Sequence, residues 1–166
     1  MNWKLSLAAF SFCAVLFACK KEDKQVPVQI VLTDNPTAFD EVNVDITDIR
    51  VKLDKDTTAW ISLNTKAGVY NLLALQNGIM DTLATGTAPT GILREVRFIL
   101  GSRNTVKVNG VVQPLVIPSG SESGLKVKID KHLGETLNSF VLDFDAALSI
   151  KEENDGYKLR PVIKLK

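Results

Sequence analysis

Hydrophobic and polar positions alternate with a period of two along most of this chain, the pattern of strands with one buried and one wet face. It is clearest over residues 41–53. Val42, Val44 and Ile46 alternate with Glu41, Asn43 and Asp45, and then Ile49, Val51 and Leu53 alternate with Asp48, Arg50 and Lys52. The apolar parity flips between Ile46 and Ile49. One extra residue near Thr47, a β-bulge, restores a common face for both halves. A strand this long with one wet face belongs to an antiparallel sheet.

The same alternation recurs downstream. Val96, Phe98 and Leu100 oppose Glu95 and Arg97; Leu125, Val127 and Ile129 oppose Lys126, Lys128 and Asp130; Phe140, Leu142, Phe144 and Ala146 oppose Val141, Asp143 and Asp145. Residues 26–33 form a first strand with Pro27 at its start, ended by Asp34-Asn35-Pro36, where Asp34 suits an Asx-type turn. Residues 60–63 and 68–73 make two short strands. Asn109-Gly110 joins residues 105–108 to 111–117 as a type I′ hairpin. Residues 157–165 read as one last strand, blunted against edge pairing by Lys164 and Lys166. Only residues 74–84 suggest a helix, with Leu75, Ile79 and Leu83 four apart and Gly78 limiting it to a turn or two. The prediction is an all-β, single-domain antiparallel β-sandwich of about nine strands with at most one short helix, a partly open barrel being the second choice.

The first residues break this pattern. Lys4 precedes an apolar run from Leu5 to Ala18 of about 14 residues, short of the ~20 that a spanning helix needs. Leu16-Phe17-Ala18-Cys19 closes it as a bacterial lipoprotein signal would, with cleavage before Cys19 and a diacylglycerol on its sulfur. An ordinary secretory signal would need a small residue at Leu16. The domain reading is therefore a signal peptide over residues 1–18, a charged tether over 19–25 and a β-sandwich over 26–166. The tether Lys20-Lys21-Glu22-Asp23-Lys24-Gln25 is a solvated spacer that also resembles the export tag of surface-displayed lipoproteins. Localisation follows as an expectation: the bacterial cell envelope, lipid-anchored to the outer membrane, on its surface or its periplasmic side.

Cleavage changes the charge and the cysteine chemistry. Of 20 basic residues Lys4 is lost, while all 19 acidic residues remain, so the mature side chains sum to zero. No long-range field would then draw in nucleic acid. Of the two cysteines, Cys13 leaves and Cys19 is alkylated, so neither a disulfide nor a thiolate metal site is expected.

Candidate chemistry is sparse. Asp143 and Asp145 share a strand face, about 7 Å apart by the two-residue repeat. They could share a cation with Asp34, Asp40 or Asp45, but no Asp- and Gly-rich calcium loop accompanies them. We expect Asp34, Asp143 and Asp145 to be structural carboxylates that hold turn amides or face Arg94, Arg97 or Arg160. His132 is the single histidine, so any general base, zinc site or nucleophile–histidine pair would have to use it. Its neighbours place it in a loop, with no nucleophile motif nearby. Trp60, Tyr70 and Tyr157 could line a sugar platform, although core packing is the commoner use of so few aromatics.

Three groups of residues resemble a known family. The first is Leu32-Thr33-Asp34-Asn35-Pro36 leading into Phe39-Asp40-Glu41-Val42-Asn43-Val44. The second runs from Gly101-Ser102 and Asn104-Thr105-Val106 to Pro118-Ser119-Gly120 and Ser123-Gly124-Leu125-Lys126. The third is Leu142-Asp143-Phe144-Asp145-Ala146 followed by Leu159-Arg160-Pro161-Val162-Ile163. Together they resemble the bacterial and archaeal family called domain of unknown function 4382, over nearly the whole mature chain. The resemblance implies an exported β-sandwich module and carries no activity. The functional expectation is a membrane-anchored, non-enzymatic binding or structural accessory module, with no cofactor, whose protein or glycan partner the residues do not name. The alternative is a carbohydrate- or calcium-dependent ligand-binding module of a nutrient-uptake system. Two or more exposed aromatics on a concave face would favour a glycan site; a charged face would favour scaffolding.

Overall fold

The longest strand, β2 (Glu41–Leu53), runs through the middle of one of two sheets. Its register against the neighbouring strand slips between Ile46 and Asp48, so Thr47 is the extra residue. Val42, Val44 and Ile46 before the bulge, and Ile49 and Val51 after it, are all fully buried. The computed structural model describes residues 24–55, 59–118 and 124–166. The expected signal, Cys19 and most of the expected tether lie outside them.

The elements follow in chain order: β1 (Gln25–Thr33), β2, β3 (Ile61–Ser62), β4 (Asn64–Thr65), β5 (Gly68–Asn71), a 3-10 turn (Leu72–Leu75), β6 (Asp81–Pro89) and β7 (Ile92–Leu100). Then come β8 (Thr105–Val108), β9 (Val111–Val116), β10 (Leu125–His132), β11 (Asn138–Phe144), α1 (Ala146–Ser149), β12 (Ile150–Glu153), β13 (Gly156–Leu159) and β14 (Ile163–Leu165). One sheet has the order β14-β11-β1-β6-β4. The other has β10-β7-β2-β8-β9-β13-β12, with β3 and β5 on the far side of β2. Between the sheets lies one core, in which Ile30, Leu32, Leu142 and Phe144 from the first sheet join Ile46, Ile49, Leu93 and Phe98 from the second. The fold is all-β and sandwich-like.

The chain changes sheets in short pieces, so the strands are more numerous and shorter than the alternation predicts. β3 pairs with β2, β4 crosses to pair with β6, and β5 returns to β2. Two pairings are parallel, β1 with β11 and β13 with β9, so the sheets are mixed rather than wholly antiparallel.

Two further expectations are corrected. The helix over residues 74–84 does not form. Asn77 and Gly78 both adopt positive φ and turn the chain, and the Thr-rich stretch Asp81–Pro89 pairs with β1 instead. The last strand is split in two: Arg160-Pro161-Val162 carries the chain from β13 in one sheet to β14 in the other, at a proline that has no donor for a ladder. The type I′ hairpin is present, with φ of 50° at Asn109 and 80° at Gly110. Of the core residues named from the alternation, Leu100 and Leu125 are only half-buried.

Phe144 has no exposed surface and fills the space between the sheets. Phe144→Ala should destabilise the fold by about 3–5 kcal/mol, read from the denaturation midpoint.

Candidate functional site: a basic flank of the sandwich

The expected carboxylates play three different parts. Asp34 is buried and ties distant segments together: its Oδ1 accepts from Ala146 N at 3.0 Å, and its Oδ2 accepts from Gln76 Nε2 at 3.2 Å. Burial raises its pKa above the ordinary 3.8, against the pull of these hydrogen bonds, and the charge of Asp143 adds to the rise. Asp145 caps α1, accepting from Leu148 N at 2.9 Å. Asp143 departs from the turn-amide reading. It sits between Thr33 and Lys164 in register, and its buried Oδ1 has no hydrogen-bond partner. None of the three faces the arginines proposed for them, since Arg94 pairs with Asp130, Arg160 pairs with Glu153 and Arg97 lies against Trp60. Among the described residues, no group of three or more histidine, cysteine or acidic side chains is placed to hold a metal ion. His132 ends β10 opposite Ile92, a strand position rather than a loop, and is exposed.

Asp45, which the sequence offered only as a possible cation partner, is fastened beside the bulge. Asp45 Oδ1 accepts from Arg103 Nη2 at 2.9 Å, and its Oδ2 accepts from Arg103 Nε at 3.0 Å. Its backbone N–H donates to Asn104 Oδ1 at 2.9 Å, and its carbonyl accepts from Gly101 N at 2.8 Å. These bonds fasten the loop between β7 and β8 to β2 where the ladder is interrupted. The hydrogen-bonded Arg103 guanidinium holds the Asp45 carboxyl below the ordinary 3.8, although burial pushes the other way.

On the outer face of the same sheet, register places like charges side by side. Ser62, Arg50, Arg97 and Lys126 form one row across β3, β2, β7 and β10. Beside it run Lys52, Glu95 and Lys128. Asp48 accepts from Arg50 Nε at 2.6 Å, and Glu95 lies 4.0 Å from Lys52. Among the described residues Arg97, Lys126 and Lys128 have no ion-pair partner. Arg97 stacks on Trp60, its guanidinium carbon 3.8 Å from the ring centroid, with Lys52 Nζ at 5.5 Å. Arg97 Nε is buried and makes no hydrogen bond. A shallow open depression of about 360 Å³ adjoins the row, lined by Lys52, Leu53, Arg94, Glu95, Lys128 and Asp130.

A family model described as "Domain of unknown function (DUF4382)" matches residues 25–161. The chain belongs to that family. No curated protein and no solved structure matches it. Much of what makes the chain resemble DUF4382 lies at joints of the fold. Asp34 and Ala146 meet across 112 residues of sequence, and Gly101 and Asn104 bind the backbone of Asp45. Apart from Lys126, the basic row lies outside those stretches, so it belongs to this chain's own reading rather than to the resemblance.

Trp60 was visible as a candidate sugar contact, and Arg50, Arg97 and Lys126 as outward members of alternating strands. The row they form needed the register. Tyr70 and Tyr157 lie elsewhere: Tyr70 is in β5 and Tyr157 in β13.

The Asp45 clamp gives a pH dependence of definite sign. Because its folded pKa is lowered, its stabilisation is present above 3.8 and is lost as pH falls through the folded value. Asp45→Asn should lower the melting temperature at neutral pH and show a shallower loss on acidification than the parent. Gly101→Ala should break the same clamp, since a Cβ there would lie 2.2 Å from Asp45 Oδ2; overpacking of this kind costs about 1–3 kcal/mol by chemical denaturation.

Proposed function

We propose that this DUF4382 chain is an exported lipoprotein, held to the outer membrane through a lipid on Cys19, that works as a non-enzymatic binding module. The Leu16–Cys19 box carries the anchoring half of this reading. Five residues, Lys20 to Lys24, separate the lipid site from β1, so the sandwich would stand close to the membrane that holds it. The basic flank supports the binding half. It is a flat, charged face, which suits the docking of a partner better than the enclosure of a small substrate.

Binding is favoured over catalysis by the placement of the groups that chemistry would need. His132 ends β10 among residues at the start of β11, whereas Asp143 and Asp145 follow at the other end of that strand. No helix of the described residues is long and apolar enough to cross a membrane. Attachment by lipid is the route that the Cys19 box supplies.

Cys19→Ser should abolish incorporation of labelled palmitate, leave the precursor uncleaved, and prevent the mature lipid-anchored form from appearing in the outer-membrane fraction. Unchanged labelling in that variant would contradict the anchor.

A further inference from the structure

We propose that the row Arg50–Arg97–Lys126, with Lys128 and Trp60 beside it, binds an acidic polysaccharide carrying carboxylate or sulfate groups along its length. This rests on the reading of the chain as an anchored binding module and names its ligand class. The first argument is energetic. Like charges directly opposite on neighbouring strands repel, and here three cations stand in register across three strands roughly 4.8 Å apart. Among the described residues, only Arg50 of these three has a close carboxylate, Asp48. The like-charge contacts oppose the unliganded fold, whereas a bound row of anions turns that repulsion into attraction.

Arg97 is the centre of the row. Trp60 covers one face of its guanidinium and fixes the plane. A planar guanidinium held in place suits a carboxylate or sulfate oxygen pair. Lys126 and Lys128 add donors beside it. The face is rich in donors and poor in acceptors, matching a polymer of anionic and hydroxyl oxygens.

The shape excludes other occupants. The depression is open and lined mainly by charged side chains, so it offers no recess for the apolar side chains of a peptide. A membrane that held Cys19 would meet the end of the sandwich where β1 begins, and the row lies along a flank. Neutral sugars would need aromatic platforms, and Trp60 already has one ring face against Arg97. Since the mature side chains sum to zero, recognition acts at short range and should weaken as salt rises.

The test uses the full chain in detergent with five probes: polygalacturonate, dextran sulfate, neutral dextran, polyglutamate, and phosphatidylglycerol vesicles. Trp60 emission reports on the row, because Trp3, the other tryptophan, leaves with the signal. We expect polygalacturonate or dextran sulfate to shift that emission and to bind in a salt-sensitive way, while neutral dextran does neither. Lys126→Gln combined with Lys128→Gln should weaken binding about tenfold or more, a loss of ~1.4 kcal/mol, without lowering the melting temperature. Lys151→Gln, at an exposed site on β12, should leave binding unchanged. The inference is overturned if neither acidic polysaccharide binds, if Lys151→Gln weakens binding as much as the row variant, or if polyglutamate or the vesicles bind more tightly. Those results leave the anchor reading standing, because palmitate labelling at Cys19 decides that separately.

Discussion

A strand that needs both its halves to face one core, and whose hydrophobic pattern slips by one residue midway, must carry an insertion at the slip. In β2 that insertion is Thr47, and much of the sandwich is arranged around it. The partner strand is interrupted at the same level: β7 ends at Leu100, β8 begins at Thr105, and the loop between them is fastened to Asp45 by Gly101, Arg103 and Asn104. The backbone N–H and carbonyl of Asp45, level with the gap between β7 and β8, are thereby satisfied. Without the extra residue, Ile49 and Val51 would face water, and Arg50 and Lys52 would face the core.

The bulge therefore also decides what the outside looks like. It turns Asp48, Arg50 and Lys52 to one outer face, where β7 and β10 bring Arg97, Lys126 and Lys128 alongside. Neutralising pairs at Asp48 and Glu95 meet only part of that charge. Some cations elsewhere are matched, as Arg94 is with Asp130 and Lys158 with Glu153 and Asp155, but those in the row also stand beside one another. A local conflict within an otherwise consistent fold is where a binding role is to be sought.

The sequence made legible what depends on neighbours along the chain. The parity flip around Thr47, the Asn109-Gly110 turn and the buried faces of β2, β7 and β11 all follow from local periodicity and turn chemistry. Features set by distant pairing were not legible. The parallel contact of β1 with β11, the hop of β4 between sheets and the bond from Ala146 N to Asp34 join segments with no local signature. Residues 74–84 misled because Leu75, Ile79 and Leu83 mimic a helical face, while Asn77-Gly78 and pairing with β1 made them turn and strand. The basic row falls between these cases. Its members were visible as outward residues of three strands, but only the register makes them neighbours.

Whether the row is a real electrostatic conflict can be measured without any ligand. A double-mutant cycle on Arg97→Gln and Lys126→Gln, followed by chemical denaturation, isolates the interaction of the two side chains from the stacking of Arg97 on Trp60. Repulsion of about 0.2–1 kcal/mol between the two charges is expected for facing cross-strand positions, and it should shrink as salt is raised. A favourable coupling, or one that salt does not change, would contradict the account of this face as charge held in readiness for an anion.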